Sequence, residues 1–323
     1  MALRNVRALV TGADGFVGTH LVRHLTAVGD EVIAVVGPRH VGTGQLSVDV
    51  RDPEAIGAVI RDVGPDVIYH LAAVVTPGQS MAAAPGDTIA ITVTGTANVL
   101  AAARRLPRPP VVHIPSSAAV YGTPHEGATL TEDAPLRPAS VYGATKASQE
   151  MLGMAFQANG DVPVVITRSF NHLGPGQRTS AALPGFASSL AEIALGRAAP
   201  TLAIGNLEVV RDFSDVRDAV AAFRLLVGMR PDGPVNVCSG SGRSLRDLLS
   251  ALVNLSGLDV ALVQDPSLIR RVDPPRVVGD TRRLNALIGS VPPPPTSDSL
   301  KEIWLDALEH ARTNGVRTQS PAR

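Results

Sequence analysis

Aromatic side chains are scarce: Phe, Trp and Tyr together make up 3% of the 323 residues. Any core must therefore be largely aliphatic. Hydrophobic residues of all kinds reach 45% of the chain. That share excludes a disordered or collagen-like chain and suits one large or two medium domains. One cysteine, Cys238, is present. It excludes a disulfide within the chain and a metal centre built from cysteines. The eight histidines show no ligand spacing, so no metal is expected. With one cysteine, a reducing cytoplasm is the default expectation. Neither sign of charge is in excess, since acidic and basic residues number 29 each. Nucleic acid and anionic membranes are therefore not expected partners. Gly, Pro or a charge interrupts every apolar run before it reaches membrane-spanning length. No signal-peptide pattern precedes the first strand. Lysine is rarest among the cations, represented by Lys146 and Lys301 alone.

What is present alternates in type. Arg7-Ala-Leu-Val-Thr11 reads as a short buried strand, followed by a glycine-rich turn and a helix over 16–28. Further strands are expected at 32–36, 46–50, 67–71, 111–114 and 164–168. Helices are expected from Asp52-Pro53 onward, at 88–105 and at 140–159. Strands that are continuous apolar runs are buried on both faces, and alternation with helices makes the sheet parallel. The expected fold is α/β: a Rossmann-like doubly wound parallel sheet with a smaller C-terminal substrate-binding α/β domain. The first domain spans 1–168 with a returning segment at about 208–240. The second takes 169–207 and 241–312, with helices near 184–196, 244–256 and 297–312. A helix at 216–227 and a strand at 234–238 belong to the returning segment. A flexible polar tail covers 313–323.

Thr11-Gly-Ala-Asp-Gly-Phe-Val-Gly18 places glycines at 12, 15 and 18 between the first strand and the first helix. Such a turn lets backbone approach a pyrophosphate at the helix N-terminus, where free N–H groups favour an anion. Gly12, Asp14, Gly15, Phe16, Val17 and Gly18 are therefore candidate dinucleotide contacts. After the second strand, NAD-type sites carry an acid and NADP-type sites an arginine. The chain reads Val36-Gly-Pro-Arg39-His40 there. Arg39 is the candidate for a 2′-phosphate, and NADPH is expected over NADH. Asp49 and Val50 are candidates for the adenine.

Tyr142-Gly-Ala-Thr-Lys146 puts a phenol and an ammonium on one helix face. The ammonium is expected to lower the tyrosine pKa from its usual value near ~10, suiting it to acid–base work. Ser117 lies at the C-terminal end of the fifth strand, where doubly wound sheets place their sites.

These residues resemble the extended short-chain dehydrogenase/reductase family in its sugar-nucleotide-modifying branch. Thr11 to Gly18, His70-Leu-Ala-Ala73, Ser117-Ala-Ala-Val-Tyr-Gly122 and Tyr142 to Lys146 carry the resemblance. It implies Ser117, Tyr142 and Lys146 as the catalytic set, with Leu71, Ala72 and Ala73 beside the cofactor. One departure is Thr92, where the family usually has asparagine. Arg168-Ser-Phe-Asn-His-Leu-Gly-Pro-Gly-Gln177, the stretch from Gly205 to Asp215, and Gln264 to Arg271 look like the GDP-4-keto-6-deoxymannose reductases. By that likeness Ser116, Ser117, Asn171, Arg211 and Arg270 contact a sugar nucleotide, the arginines chiefly its diphosphate. The likeness also implies a homodimer through a four-helix bundle.

Between Ser117 and Tyr121 the family places its further chemistry. Its 4,6-dehydratases carry Asp-Glu there, and an epimerising reductase carries a cysteine. Ala118 and Ala119 move no proton. Cys238 is expected to pack as a small hydrophobe, and His113 and His172 to be structural. What remains is NADPH-dependent reduction of the C4 ketone of a GDP- or dTDP-linked 4-keto-6-deoxyhexose. The alternatives are an NAD-dependent 4-epimerase and a non-catalytic dinucleotide sensor.

Overall fold

The structure, a computed structural model, describes residues 5–38, 44–74, 85–125, 127–269 and 272–317. The chain opens as β1 (Arg7–Thr11), α1 (Phe16–Ala27), β2 (Glu31–Val36), β3 (Leu46–Ser47), α2 (Pro53–Val63) and β4 (Val67–His70). It continues as α3 (Pro85–Ile89), a π-helical stretch (Ala90–Thr94), α4 (Gly95–Arg104), β5 (Val111–Ser117), α5 (Val141–Ala158) and β6 (Val164–Ser169). Then come β7 (Asn171–Leu173), α6 (Ala182–Ala194), β8 (Thr201–Ile204), β9 (Val210–Asp215), α7 (Val216–Met229) and β10 (Val235–Val237). The last elements are β11 (Gly242–Ser244), α8 (Leu245–Ser256), β12 (Ala261–Gln264), β13 (Arg276–Val277), α9 (Arg282–Ile288) and α10 (Ser297–Arg317).

Seven strands form one sheet in the order β10-β6-β5-β4-β1-β2-β3, all pairs parallel. The order reverses between β1 and β4, which opens a crevice at their C-terminal ends. Successive residues of β1 serve opposite faces, as a strand requires. Ala8 and Val10 join the cluster under α1 and α7, while Leu9 joins that under α2 and α4. Fully buried Leu9, Ile68, Leu100 and Ile114 are each worth about 1.5–3 kcal/mol in transfer free energy. A third cluster lies among α6, α8 and α10, with Leu190, Leu248, Leu252 and Ile303 at its centre. The strands β7, β11 and β13 all pair with β9, and β12 pairs with β8.

Local signals explain the boundaries. Asp52 caps α2 by accepting from Glu54 and Ala55 N–H, Pro53 begins the helix, and Gly64 ends it in the left-handed region. Ser140 caps α5 through Gly143 N–H. Several expectations change. The strand expected at 46–50 pairs only at Leu46 and Ser47, because Asp49 already opens the turn into α2. The helix expected at 88–105 begins at Pro85 and carries the π-helical stretch. Helix α10 runs past Arg312 to Arg317. Strands β7, β8, β9, β11, β12 and β13 and helix α9 had no clear sequence signal. Among the described residues, no helix is long and apolar enough to cross a membrane.

Candidate active site

The glycine loop is shaped by close backbone contact. Gly12 has φ +67°, and a Cβ there would sit 2.8 Å from Ala72 N. At Gly18 a Cβ would lie 2.2 Å from the Gly12 carbonyl oxygen. Gly15 begins α1 with no side-chain cap, and the first turn holds no acid. The first N–H groups of α1 are thus left for an anion. This cradle fits a dinucleotide pyrophosphate. Phe16 and Val17 are half-buried against the sheet core, and Asp14 is half-buried beside them. Leu71 and Ala72 are tied to β1, since Leu71 N–H donates to Thr11 O (3.1 Å) and Ala72 N–H to Thr11 Oγ1 (3.2 Å). Ala73 follows them, half-buried.

At the outer end, Asp49 accepts from Arg51 at 2.6 Å, and this guanidinium holds its carboxyl below the usual range. Val50 is buried, and its carbonyl accepts from Asn98. Arg39 lies outside the described residues.

Ser117 ends β5, and its Oγ accepts from Ala119 N–H at 3.2 Å. The chain then turns tightly through Ala118 and Ala119. Helix α5 starts directly against this turn: a Cβ on Gly143 would sit 2.5 Å from Ala119 O. Glycine there lets the first turn of α5 bring Tyr142 toward Ser117. Lys146 stands one turn on, with Nζ 6.0 Å from the Tyr142 ring centre. Nζ donates to Pro115 O (2.8 Å) and Gln149 Oε1 (2.9 Å).

The titration of the pair differs from the expectation. Burial pushes the Tyr142 phenol up, and the opposing influence is the nearby Ser117 hydroxyl rather than the ammonium. Burial also lowers Lys146 to about 8, although Glu150 favours its charged form. Tyr142 is therefore protonated at neutral pH, while Lys146 remains mostly cationic.

Ser116 is not part of this site. Neighbouring strand residues face opposite sides. Its buried hydroxyl donates to Glu150. Glu150 pairs with Arg168 at 2.8 Å, both buried. Arg168 also donates to Tyr121 OH and Glu132 O, and Tyr121 OH donates to Asn236 Oδ1 at 2.6 Å. Of the expected substrate contacts, Asn171 donates to Asp212 O. Arg211 donates to Asp273 (2.5 Å) and Pro274 O (2.7 Å). Arg270 lies outside the described residues. Arg243, which sequence reasoning missed, stands opposite Arg211 in the β9–β11 register.

His113 and His172 are buried, and burial lowers them to about 3 and about 4 respectively. Both are neutral at pH 7, which suits structural roles. Cys238 is buried with Ala118, Val120, Tyr121, Leu130 and Phe170, and burial pushes its thiol up. It packs as expected and is no acid–base. Among the described residues, no cluster of His, Cys, Asp or Glu could hold a metal.

Comparison with known proteins decides the family. Residues 9–289 match the family described as GDP-mannose 4,6 dehydratase. The chain belongs to this family. It is an enzyme of the epimerase/dehydratase branch of the extended short-chain dehydrogenases/reductases. The GDP-6-deoxy-D-mannose reductase of Pseudomonas aeruginosa is 31% identical, over 93% of this chain and 96% of that protein. A UDP-glucose 4-epimerase of Azospirillum brasilense is 32% identical, over 95% of this chain and 92% of that one. The solved structure of RMD from Pseudomonas aeruginosa complexed with NADPH superposes with a TM-score of 0.84. It has 31% identity and covers 95% of this chain and 100% of that one. Two alanines follow the catalytic-type serine. Ala118 is buried and Ala119 half-buried against Gly143.

Proposed function

We propose that this protein is an NADPH-dependent reductase of the C4 ketone of a nucleoside-diphosphate 4-keto-6-deoxyhexose. The observation that carries the reading is the Ser117–Tyr142–Lys146 arrangement beside two alanines. A dehydratase or an epimerising reductase of this family needs a proton-moving group at those two positions, and alanine supplies none.

Bound NADPH supplies the hydride that reaches sugar C4. Ser117 donates a hydrogen bond to the ketone oxygen and polarises it. Tyr142, kept protonated by burial, delivers its proton to that oxygen as the alcohol forms. Lys146 holds a positive charge beside the phenolate left behind and stabilises it. Gly12, Gly15, Gly18 and the start of α1 hold the pyrophosphate, with Leu71, Ala72 and Ala73 alongside. Arg39 is assigned the 2′-phosphate, and the NADPH-bound relative supports that choice. Residues 1–168 with 208–240 serve the cofactor. Residues 169–207 and 241–312 serve the sugar nucleotide, whose diphosphate is assigned to Arg211 and Arg270.

The test follows NADPH absorbance with freshly generated GDP- and dTDP-linked 4-keto-6-deoxyhexoses. Consumption with one of them is expected, and Tyr142→Phe lowers it about 10²–10⁴-fold. No consumption with either, by a protein that binds NADPH, contradicts the reading. Tightly retained NAD in the purified protein points instead to a 4-epimerase, the activity of the Azospirillum relative.

A further inference from the structure

One buried polar side chain beside the site has no part in the reaction as described. Gln149 is fully buried on α5, three residues after Lys146. Its Oε1 accepts from Lys146 Nζ at 2.9 Å, and its Nε2 donates to Thr96 Oγ1 at 2.6 Å. Thr96 Oγ1 in turn lies 2.6 Å from Thr92 O and 3.1 Å from His70 Nε2. His70 Nδ1 lies 2.8 Å from Thr11 Oγ1, which also accepts from Ala72 N–H. The chain of contacts thus runs from Lys146 to the last residue of β1, next to the glycine loop.

One placement of protons satisfies the whole chain. A carbonyl cannot donate, so the Thr96 hydroxyl donates to Thr92 O. Its two lone pairs then accept from Gln149 Nε2 and His70 Nε2–H. His70 is the Nε2–H tautomer, and its Nδ1 accepts from the Thr11 hydroxyl. Lys146 only donates, so the Gln149 amide cannot be reversed. Every member except Lys146 is neutral, His70 included, since burial and the Lys146 charge lower it to about 3.

We propose that Gln149 is a positioning residue that fixes the Lys146 ammonium and couples its place to the glycine loop. This rests on reading Lys146 as a member of the catalytic set. Only a side chain with an acceptor toward Lys146 and a donor toward Thr96 fills the position. Methionine has neither, and glutamate keeps the acceptor, adds a charge and loses the donor.

The titratable groups around Lys146 are Tyr142 and Glu150 on α5, His113 on β5 and His70 on β4. The two histidines are neutral throughout the range that matters, and Tyr142 is held protonated by burial. Glu150 favours the ammonium equally in the wild type and in variants at position 149.

Because the sequence has two lysines, protein labelled with ¹³C-lysine gives two side-chain signals. The variant Lys301→Arg, at an exposed site, assigns them. In the wild type the Lys146 signal is expected to titrate at about 8, lowered by burial. Gln149→Met is expected to lower that midpoint by about one pH unit, because a hydrogen bond to the charged form is gone. Gln149→Glu is expected to raise it. The high-pH limb of the kcat profile for ketosugar reduction, where the ammonium loses its proton, should move in the same opposite directions. A Lys146 midpoint unchanged in Gln149→Met overturns the inference. Should that variant not fold, Gln149→Glu decides: a midpoint no higher than wild type overturns it. The titration needs neither substrate nor cofactor. A protein whose midpoints move as expected but which reduces no ketosugar leaves this inference standing and removes the proposed reaction.

Discussion

Residues 149 and 150 are neighbours on α5, yet their side chains enter two different polar networks. Gln149 joins a neutral one with Thr96, His70 and Thr11, ending at the single cation Lys146. Glu150 joins a charged one with Arg168 and Ser116, extended by Tyr121 and Asn236. Both are buried, but they do different work. The neutral network borders the cofactor crevice and sets where one ammonium stands. The charged network ties α5 to β5, β6 and β10, and its Glu150 also favours the Lys146 charge. A buried ion pair adds little over apolar packing, but losing one partner strands a charge.

Two experiments sharpen that contrast. The largest effect is expected on the charged side. Arg168→Met leaves Glu150 buried without its partner and should cost about 3–5 kcal/mol of unfolding free energy in a urea titration. A loss under about 1 kcal/mol would mean the two networks do not differ in this way.

A smaller effect is expected from Lys146. Its folded pKa, about 8, lies below the reference value of 10.5. Between those values the unfolded chain binds the proton and the folded chain does not. Stability contributed by this group therefore rises with pH across that window, and its penalty is fully present below about 8. Relative to Lys146→Met, the wild type should gain up to ~3 kcal/mol from pH 8 to 10.5. A stability difference that stays flat with pH would contradict the burial of this ammonium.

The legibility of the molecule follows the same division. β1, the glycine loop and α1 were readable because one short segment carries strand, turn and helix signals together. Tyr142 and Lys146 were readable because their spacing fixes a shared helix face. The network beyond Lys146 was not, since Gln149, Thr96 and His70 meet from α5, α4 and β4. A partial signal existed: Gln149 follows Lys146 by three residues, on the same face. Ser116 was misassigned although the two-residue period of a strand already turns it away from Ser117. The expected effect of Lys146 on Tyr142 failed because spacing shows proximity and not burial. The strand β9 was hidden because its Arg211, Asp212 and Asp215 interrupt the apolar pattern, and Arg211 and Asp212 find their partners, Asp273 and Ser239, far along the chain. Arg39 and Arg270 lie outside the described residues.

The central claim is that hydride reaches the sugar at C4, with Tyr142 supplying the proton. The most direct measurement reduces the 4-ketosugar nucleotide with NADPH deuterated at the transferring position and locates the label by NMR. The account predicts one deuterium at sugar C4 for each NADPH consumed, with none at C3 or C5. An unlabelled product, or label at another carbon, would contradict it.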